Sequence, residues 1–196
     1  MLFYPKIPDT RGCPGGKCIG FTKYDGTNVH WDWSPENEWH AFGTRRDTFP
    51  MNTGGVAAFR VAHPGLEAMD AFGIIAGPLG SYLAERKKPV RVFTEVLGTN
   101  SFAGEHLKEE QQHAILIDVQ NDDGTMMPPK EFIDVFGHFS FTARVIFKGT
   151  FSGQVIQDVN NGVYDVTEGV VFKGLKGNWM AKAKTATWEK RLADSR

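Results

Sequence analysis

The chain has 196 residues, long enough for one self-sufficient core and short for two. Its 22 basic and 23 acidic residues nearly cancel, which excludes a globally basic nucleic-acid binder but leaves room for a local basic groove. Hydrophobic residues at 41% and charged residues at 23% exclude wholesale disorder, and no apolar run approaches the roughly 20 residues needed to span a bilayer. No signal peptide is visible, and two cysteines, Cys13 and Cys18, cannot build a disulfide framework. The expected setting is the cytoplasm, with no membrane partner.

Up to residue 18 the chain reads as loop, with Pro5, Pro8 and Pro14 among nearby glycines. Residues 19–33 predict a strand, a turn at Asp25-Gly26 and a second strand. Trp39–Thr44 predicts a strand entering a loop. Between Pro64 and Lys88, Leu66, Met69, Phe72 and Ile75 recur every three residues, which predicts a helix with a break near Gly77-Pro78. Val90–Leu97 and His113–Val119 predict strands. Pro129 opens a short helix through Phe136, since proline suits the first turn. Phe141–Phe147 predicts a strand, and residues 152–162 a helix closed by Gly162. Val166–Phe172 and Trp179–Thr185 predict strands, and the tail 186–194 a basic amphipathic helix. Strands outnumber helices and the helices are scattered, which gives an α+β fold with largely antiparallel sheets.

Lys23 stands at the end of an apolar strand, two residues before the Asp25-Gly26 turn. Such a turn can fix the lysine's direction and hold Asp25 beside it. A lysine amine is a nucleophile only without its proton, and burial or a neighbouring cation favours that state. The same four residues also read as a hairpin with a lysine on its solvent face. Downstream, Glu168 and Gly169 open an apolar strand that ends in Lys173. Lys182 and Lys184 are two apart, hence on one face of a strand. Two ammonium groups on one face repel unless an anion lies over them, and a triphosphate would suit. The alternative is an edge strand protected by its lysines.

These motifs recur in a fixed order: KYDG at Lys23, FGTRRD around Arg45, FTEVLG around Glu95, ILIDV around Asp118, EGVVFK at 168–173, and KAK at 182–184. The series resembles that of the covalent nucleotidyltransferases, a superfamily of ATP-dependent RNA and DNA ligases and mRNA capping enzymes. With Thr27 and Asn28 after the Asp-Gly, KYDGTN is most similar to the RNA ligase branch. Each motif is weak by itself. Together they cover the chain from about residue 20 to about residue 192.

The resemblance implies an ATP-grasp-like nucleotidyltransferase domain with two antiparallel sheets flanked by helices; by length it is expected as a single domain over residues 1–196 with no C-terminal OB-fold. It implies ATP as the nucleotide and Mg²⁺ or Mn²⁺ as the metal. In the implied reaction Lys23 takes AMP from ATP, AMP passes to a 5′-phosphate end of RNA or DNA, and a 3′-hydroxyl displaces it. Glu168 is implied as a catalytic acid near the lysine and the metal, and Lys182 and Lys184 as the pair binding the triphosphate. Arg45 matches the arginine at the AMP phosphate or the nucleic-acid end, with Arg46 adjacent. Glu95 matches a ribose-binding acid, and Thr22 adjoins the nucleophile in the nucleotide site. Asn28 and Arg46 match end-binding positions.

Two features depart from the family pattern. Relatives often place an aromatic residue on adenine just before the Asp of ILIDV, where this chain has aliphatic Ile115 and Ile117. Aliphatic cover forgoes the extra aromatic contribution of about 0.5–1.5 kcal/mol. The second departure is length, since relatives often carry a further C-terminal domain; it fits a minimal ligase, one served by a helper protein or a domain in trans, or one fragment of a larger protein. Lys173–Arg196 holds seven basic residues against Glu189 and Asp194, a basic end able to track a phosphate backbone. Two other readings stand beside the ligase: a GTP-using capping-type guanylyltransferase, and a non-catalytic nucleic-acid-binding relic of the fold. GCPGGKC at 12–18 lacks the residues of a phosphate loop, NDDGT at 121–125 reads as a turn, and the six histidines, His106 and His113 among them, form no metal cluster. Trp31, Trp33 and Trp39 read as half-buried strand residues.

Overall fold

The computed structural model describes residues 3–85, 87–99 and 110–194; His106 and Arg196 lie outside them. The chain divides into two compact units, each built on its own antiparallel sheet. One comprises the segment ending at Pro5, Asp25–Met126 and Ser140–Thr142. The other comprises Lys6–Tyr24, Met127–Phe139 and the chain from Ala143 onward.

The first unit holds β2 (Thr27–Ser34), β3 (Glu38–Gly43), β4 (Phe49–Pro50), β5 (Val90–Leu97) and β6 (His113–Asn121), in the order β4-β3-β2-β5-β6. One face packs on α1 (Thr53–Ala62) and α2 (Ala68–Ala84). The link is aromatic: Trp31 stacks on Phe72 at 3.7 Å and 3°, and Phe42 meets both Trp31 and Phe59. The buried Trp31 indole donates to Thr94 Oγ1 at 2.8 Å, so its one polar atom is satisfied. Trp31 and Trp33 are core residues rather than half-buried ones. α2 runs unbroken through Pro78, because Pro78 and Ile74, whose carbonyl loses its partner to the ring, both face solvent. Its buried stripe, Ala68, Ala71, Phe72, Ile75, Leu79 and Leu83, has helical spacing.

The second unit holds β1 (Gly16–Lys23), β7 (Val145–Phe151), β8 (Gly169–Gly174) and β9 (Met180–Lys184), in the order β7-β1-β8-β9, with α3 (Pro129–Phe136), α4 (Gly153–Asn160) and α5 (Ala186–Asp194). Cys18, Val170, Phe172 and Ala183 project from one sheet face onto Val155 and Val159 of α4, walled by Phe147, Phe151 and Trp179. Both cysteines are free thiols, and burial pushes the Cys18 thiol up to about 11. The hairpin reading of residues 19–33 is overturned: β1 and β2 lie in different sheets, and Asp25-Gly26 links them without pairing them. The strand expected at Phe141–Phe147 begins at Val145, because Phe141 and Thr142 pair beside Leu116 of β6. Among the described residues no helix is long and apolar enough to cross a membrane.

Candidate nucleotidyltransferase site

Three strands of the second unit set the geometry. Lys23 of β1 lies opposite Gly169 of β8, and Gly169 lies opposite Lys184 of β9. The next row on the same face is Phe21, Val171 and Lys182. Gly169 therefore leaves the middle of the first row bare. A Cβ there would run into the Ala183 carbonyl, so glycine is what lets β8 approach β9 this closely. The Glu168 side chain fills the gap, only 4% exposed. Lys23 Nζ donates to Glu168 Oε2 at 2.7 Å, and Lys184 Nζ lies 3.1 Å from Oε1. Each carboxylate oxygen thus faces one ammonium group.

Thr185 locks the ends of these strands. Its N–H donates to the Glu168 carbonyl at 3.0 Å and its hydroxyl to the Thr167 carbonyl at 2.9 Å. The same hydroxyl accepts from the Trp188 N–H and so caps α5. The outer edge of β9 is covered by the segment before it in sequence: the Lys182 N–H donates to the Pro8 carbonyl at 3.0 Å, and Asp9 pairs with Lys182.

Lys182 makes no ion pair among the described residues. Its ammonium pKa is lowered, first by burial and then by Lys23 and Lys184. Glu168 opposes that shift but does not cancel it. Around Glu168 the three ammonium groups outnumber the one carboxylate. A cavity of about 590 Å³ adjoins Lys182 and Lys184, with Asp9, Gln157, Asn160 and Glu189 among its other walls. That volume lies within the range of small-ligand sites. Lys173 is buried at the far end of the same face, its ammonium 4.8 Å from the Phe21 ring centroid and 5.4 Å from that of Phe132. The Thr22 hydroxyl, on the opposite face of β1 from Lys23, is buried without a hydrogen-bond partner.

The other residues singled out from sequence belong to the first unit. Asn28 and Glu95 are cross-strand neighbours, and the Asn28 amide donates to the Thr94 carbonyl at 3.3 Å and lies 3.5 Å from Glu95 Oε2. Ile117 is the extra residue of a bulge, since Thr94 pairs with Leu116 and Phe93 with Asp118. Arg45 and Arg46 are exposed on the bend between β3 and β4. Sequence reasoning missed Tyr4 altogether. Its hydroxyl donates to Asp118 Oδ2 at 3.1 Å, and its ring lies 4.9 Å from that of Phe93. Burial, then the Asp118 charge, raises the Tyr4 pKa. Sequence reasoning also passed over Asp47, which stands next to the two arginines, and His63, read as one of the dispersed histidines.

No described group of three or more His, Cys, Asp or Glu side chains forms a metal cage. The donor set at Lys23 is a single carboxylate, which fits a divalent ion that completes its oxygen shell with water and phosphate.

Among the described residues, two antiparallel sheets and five helices give an α+β fold that matches the RNA ligase nucleotidyltransferase fold. Solved structures of the Naegleria gruberi RNA ligase share it. A point mutant in its apo form superposes with a TM-score of 0.69 at 14% identity, over 98% of this chain and 58% of that one. The same ligase with pyrophosphate gives 0.69 at 15%, over 99% and 58%. A mutant with ATP and Mn gives 0.68 at 16%, over 99% and 59%. The chain thus spans just under three fifths of the length of these ligase structures. In sequence, no family model and no curated protein matches it.

Proposed function

We propose that this chain is the nucleotidyltransferase module of an ATP-dependent polynucleotide ligase, acting on RNA ends. The observation that carries the reading is the shared carboxylate: Glu168 holds Lys23 on one oxygen and Lys184 on the other, with Lys182 beside them and in need of an anion.

In the first step the Lys23 amine attacks the α-phosphorus of ATP. A P–N bond forms, the bond to the β-phosphate oxygen breaks, and pyrophosphate leaves. Glu168 Oε2 orients the amine and is placed to accept the proton it sheds. Lys182 and Lys184 neutralise the charge that builds on the leaving pyrophosphate, which is the principal task of a phosphoryl-transfer site. Glu168 is the carboxylate that would hold a divalent ion, which when bound with the triphosphate would supply further charge neutralisation. AMP then passes to a 5′-phosphate, and a 3′-hydroxyl displaces it as the strands join. Thr22, Arg45, Glu95 and Ile117 are assigned to nucleotide contact, and Asn28 and Arg46 to the nucleic-acid end. Residues 1–196 act together as one module.

The test is self-labelling with α-labelled ATP or GTP and Mg²⁺ or Mn²⁺. Alkali-stable, acid-labile and pyrophosphate-reversible label from ATP is expected, as befits a P–N bond, and it is lost in Lys23→Ala. It is lost equally in Lys23→Arg, because a guanidinium keeps its proton at any working pH. Label from GTP alone would replace the reading with a capping-type guanylyltransferase, and no label from either nucleotide would leave a non-catalytic relic. A panel of nicked RNA and DNA duplexes at low salt then reads out the strand preference.

A further inference from the structure

The bend between β3 and β4 carries two exposed arginines and, directly after them, a carboxylate. On such a bend the ordinary outcome is a local ion pair. Instead Asp47 is turned inward and both its oxygens are occupied. Oδ1 accepts from the Thr44 N–H and the Thr44 hydroxyl, each at 2.8 Å. Oδ2 lies 2.7 Å from His63 Nε2. His63 is itself fixed as the C-cap of α1, where its N–H donates to the Phe59 carbonyl and its ring packs 4.8 Å from that of Phe59. Burial pushes the Asp47 carboxyl up, but the Thr44 and His63 hydrogen bonds outweigh it and hold the group below the usual carboxylate range.

Two more contacts make the bend a built feature. The chain doubles back so tightly over Gly43 that a Cβ there would run into the Asp47 carbonyl and the Thr48 backbone. Beyond the bend, Thr48 Oγ1 lies 3.3 Å from the buried His30 Nε2. With the adjacent carboxylate withheld, neither Arg45 nor Arg46 has an ion pair among the described residues. The Arg45 charge also reaches the Tyr4 hydroxyl, as do those of Asp118 and Glu95. Arg45 therefore belongs to the same polar neighbourhood as Glu95 within this unit.

We propose that Asp47 is a positioning residue: through Thr44 and His63 it shapes the arginine bend, and by staying inward it leaves Arg45 free to bind a phosphate anion. The inference rests on the nucleotide-binding reading above and adds to it a residue, the last of FGTRRD, to which the motif series gives no role. Asp47 touches no substrate; it acts through Arg45.

AMP is the probe, since it has no leaving group and binds without reacting. Its dissociation constant is measured by calorimetry on the full chain after pyrophosphate has cleared any bound adenylate. Arg45→Ala and Asp47→Ala should each weaken AMP about tenfold, the weight of one charge-assisted hydrogen bond. The double variant should bind no worse than Arg45→Ala alone, a non-additivity that a merely structural role would not produce. Asp47→Asn keeps an oxygen for Thr44 and offers an N–H to His63, so it should stay within about twofold of the parent. If Asp47→Ala does not fold, His63→Ala removes one anchor only and should show a smaller loss, again absent beside Arg45→Ala. Full additivity, or normal AMP binding in Asp47→Ala, overturns the proposal. An unaffected Arg45→Ala removes Arg45 from the nucleotide site and the proposal with it, while self-labelling persists. A parent chain that neither labels nor binds AMP overturns the functional reading as well.

Discussion

Buried Asp32 meets Arg91 in the five-stranded unit through two hydrogen bonds of 2.6 and 2.7 Å, carboxylate to guanidinium and both side chains out of water. Buried Glu168 in the four-stranded unit faces Lys23 and Lys184, with Lys182 close enough for its ammonium to feel them. At Asp32 a guanidinium fork that matches the carboxylate geometrically cancels its charge. At Glu168 the ammonium groups outnumber the carboxylate. A balanced bidentate pair has nothing left to offer a ligand, whereas a carboxylate shared among amines holds them apart, oriented and short of negative charge. The difference supports the proposed roles, Asp32–Arg91 as framework and the Glu168 cluster as a site, although sequence alone presents both as charges on apolar strands.

Separate substitutions can break that contrast. The largest effect belongs to Glu168→Gln, expected to cut self-labelling roughly 100- to 1,000-fold, since the Lys23 amine loses both its orienting partner and its proton acceptor. Its stability cost should stay near about 1–2 kcal/mol, because both ammonium groups keep some contact with water. Asp32→Ala should show the reverse. It deprives Arg91 of its carboxylate and should lower unfolding free energy by roughly 3–5 kcal/mol, with labelling per folded molecule unchanged. Urea denaturation read beside labelling separates the two, and equal effects of both variants on both readouts would erase the distinction.

Gly169→Ala sharpens it further. The added methyl collides with the Ala183 carbonyl and pushes β9 off β8, moving Lys184 from Glu168. A loss of about 1–3 kcal/mol in stability and about tenfold in labelling is expected, in the range of overpacked sites. The smallest effect concerns Lys182. Its lowered pKa means that in alkaline solution the unfolded chain binds more protons than the folded one. Stability should therefore rise with pH between the lowered folded value and the ordinary lysine value. Lys182→Gln should flatten that rise, and pyrophosphate, by favouring the ammonium form, should bind with proton uptake. Calorimetry in buffers of different ionisation enthalpy measures the uptake.

Legibility in sequence followed the range of the interaction concerned. Val90–Leu97, Pro129–Phe136 and the helix at 186–194 stand where they were predicted, because an apolar run, a first-turn proline and an amphipathic stripe act within a few residues. α1 was hidden by Gly54 and Gly55, which read as loop until Asn52 is seen capping them at Gly55 N. The Asp25-Gly26 turn has the look of a hairpin, yet its two strands find partners elsewhere. Nothing local distinguishes a strand that pairs with its neighbour from one that pairs across more than a hundred residues, as β1 does with β8. Asp47 and His63 went unnoticed for the same reason, being 16 residues apart and joined only by the fold.

Amino-acid order by itself determined which chemistry was on offer: a lysine before an Asp-Gly, an acid before a glycine on an apolar strand, and two lysines on one strand face. Only the folded chain decided that the first amine and the last share one carboxylate, because that meeting depends on three strands in register and on a missing side chain at Gly169. It also decided which carboxylates were spent. Asp32 and Asp47 are as acidic in sequence as Glu168, but bidentate pairing and inward hydrogen bonding consume theirs, a matter of distances that residue order does not encode.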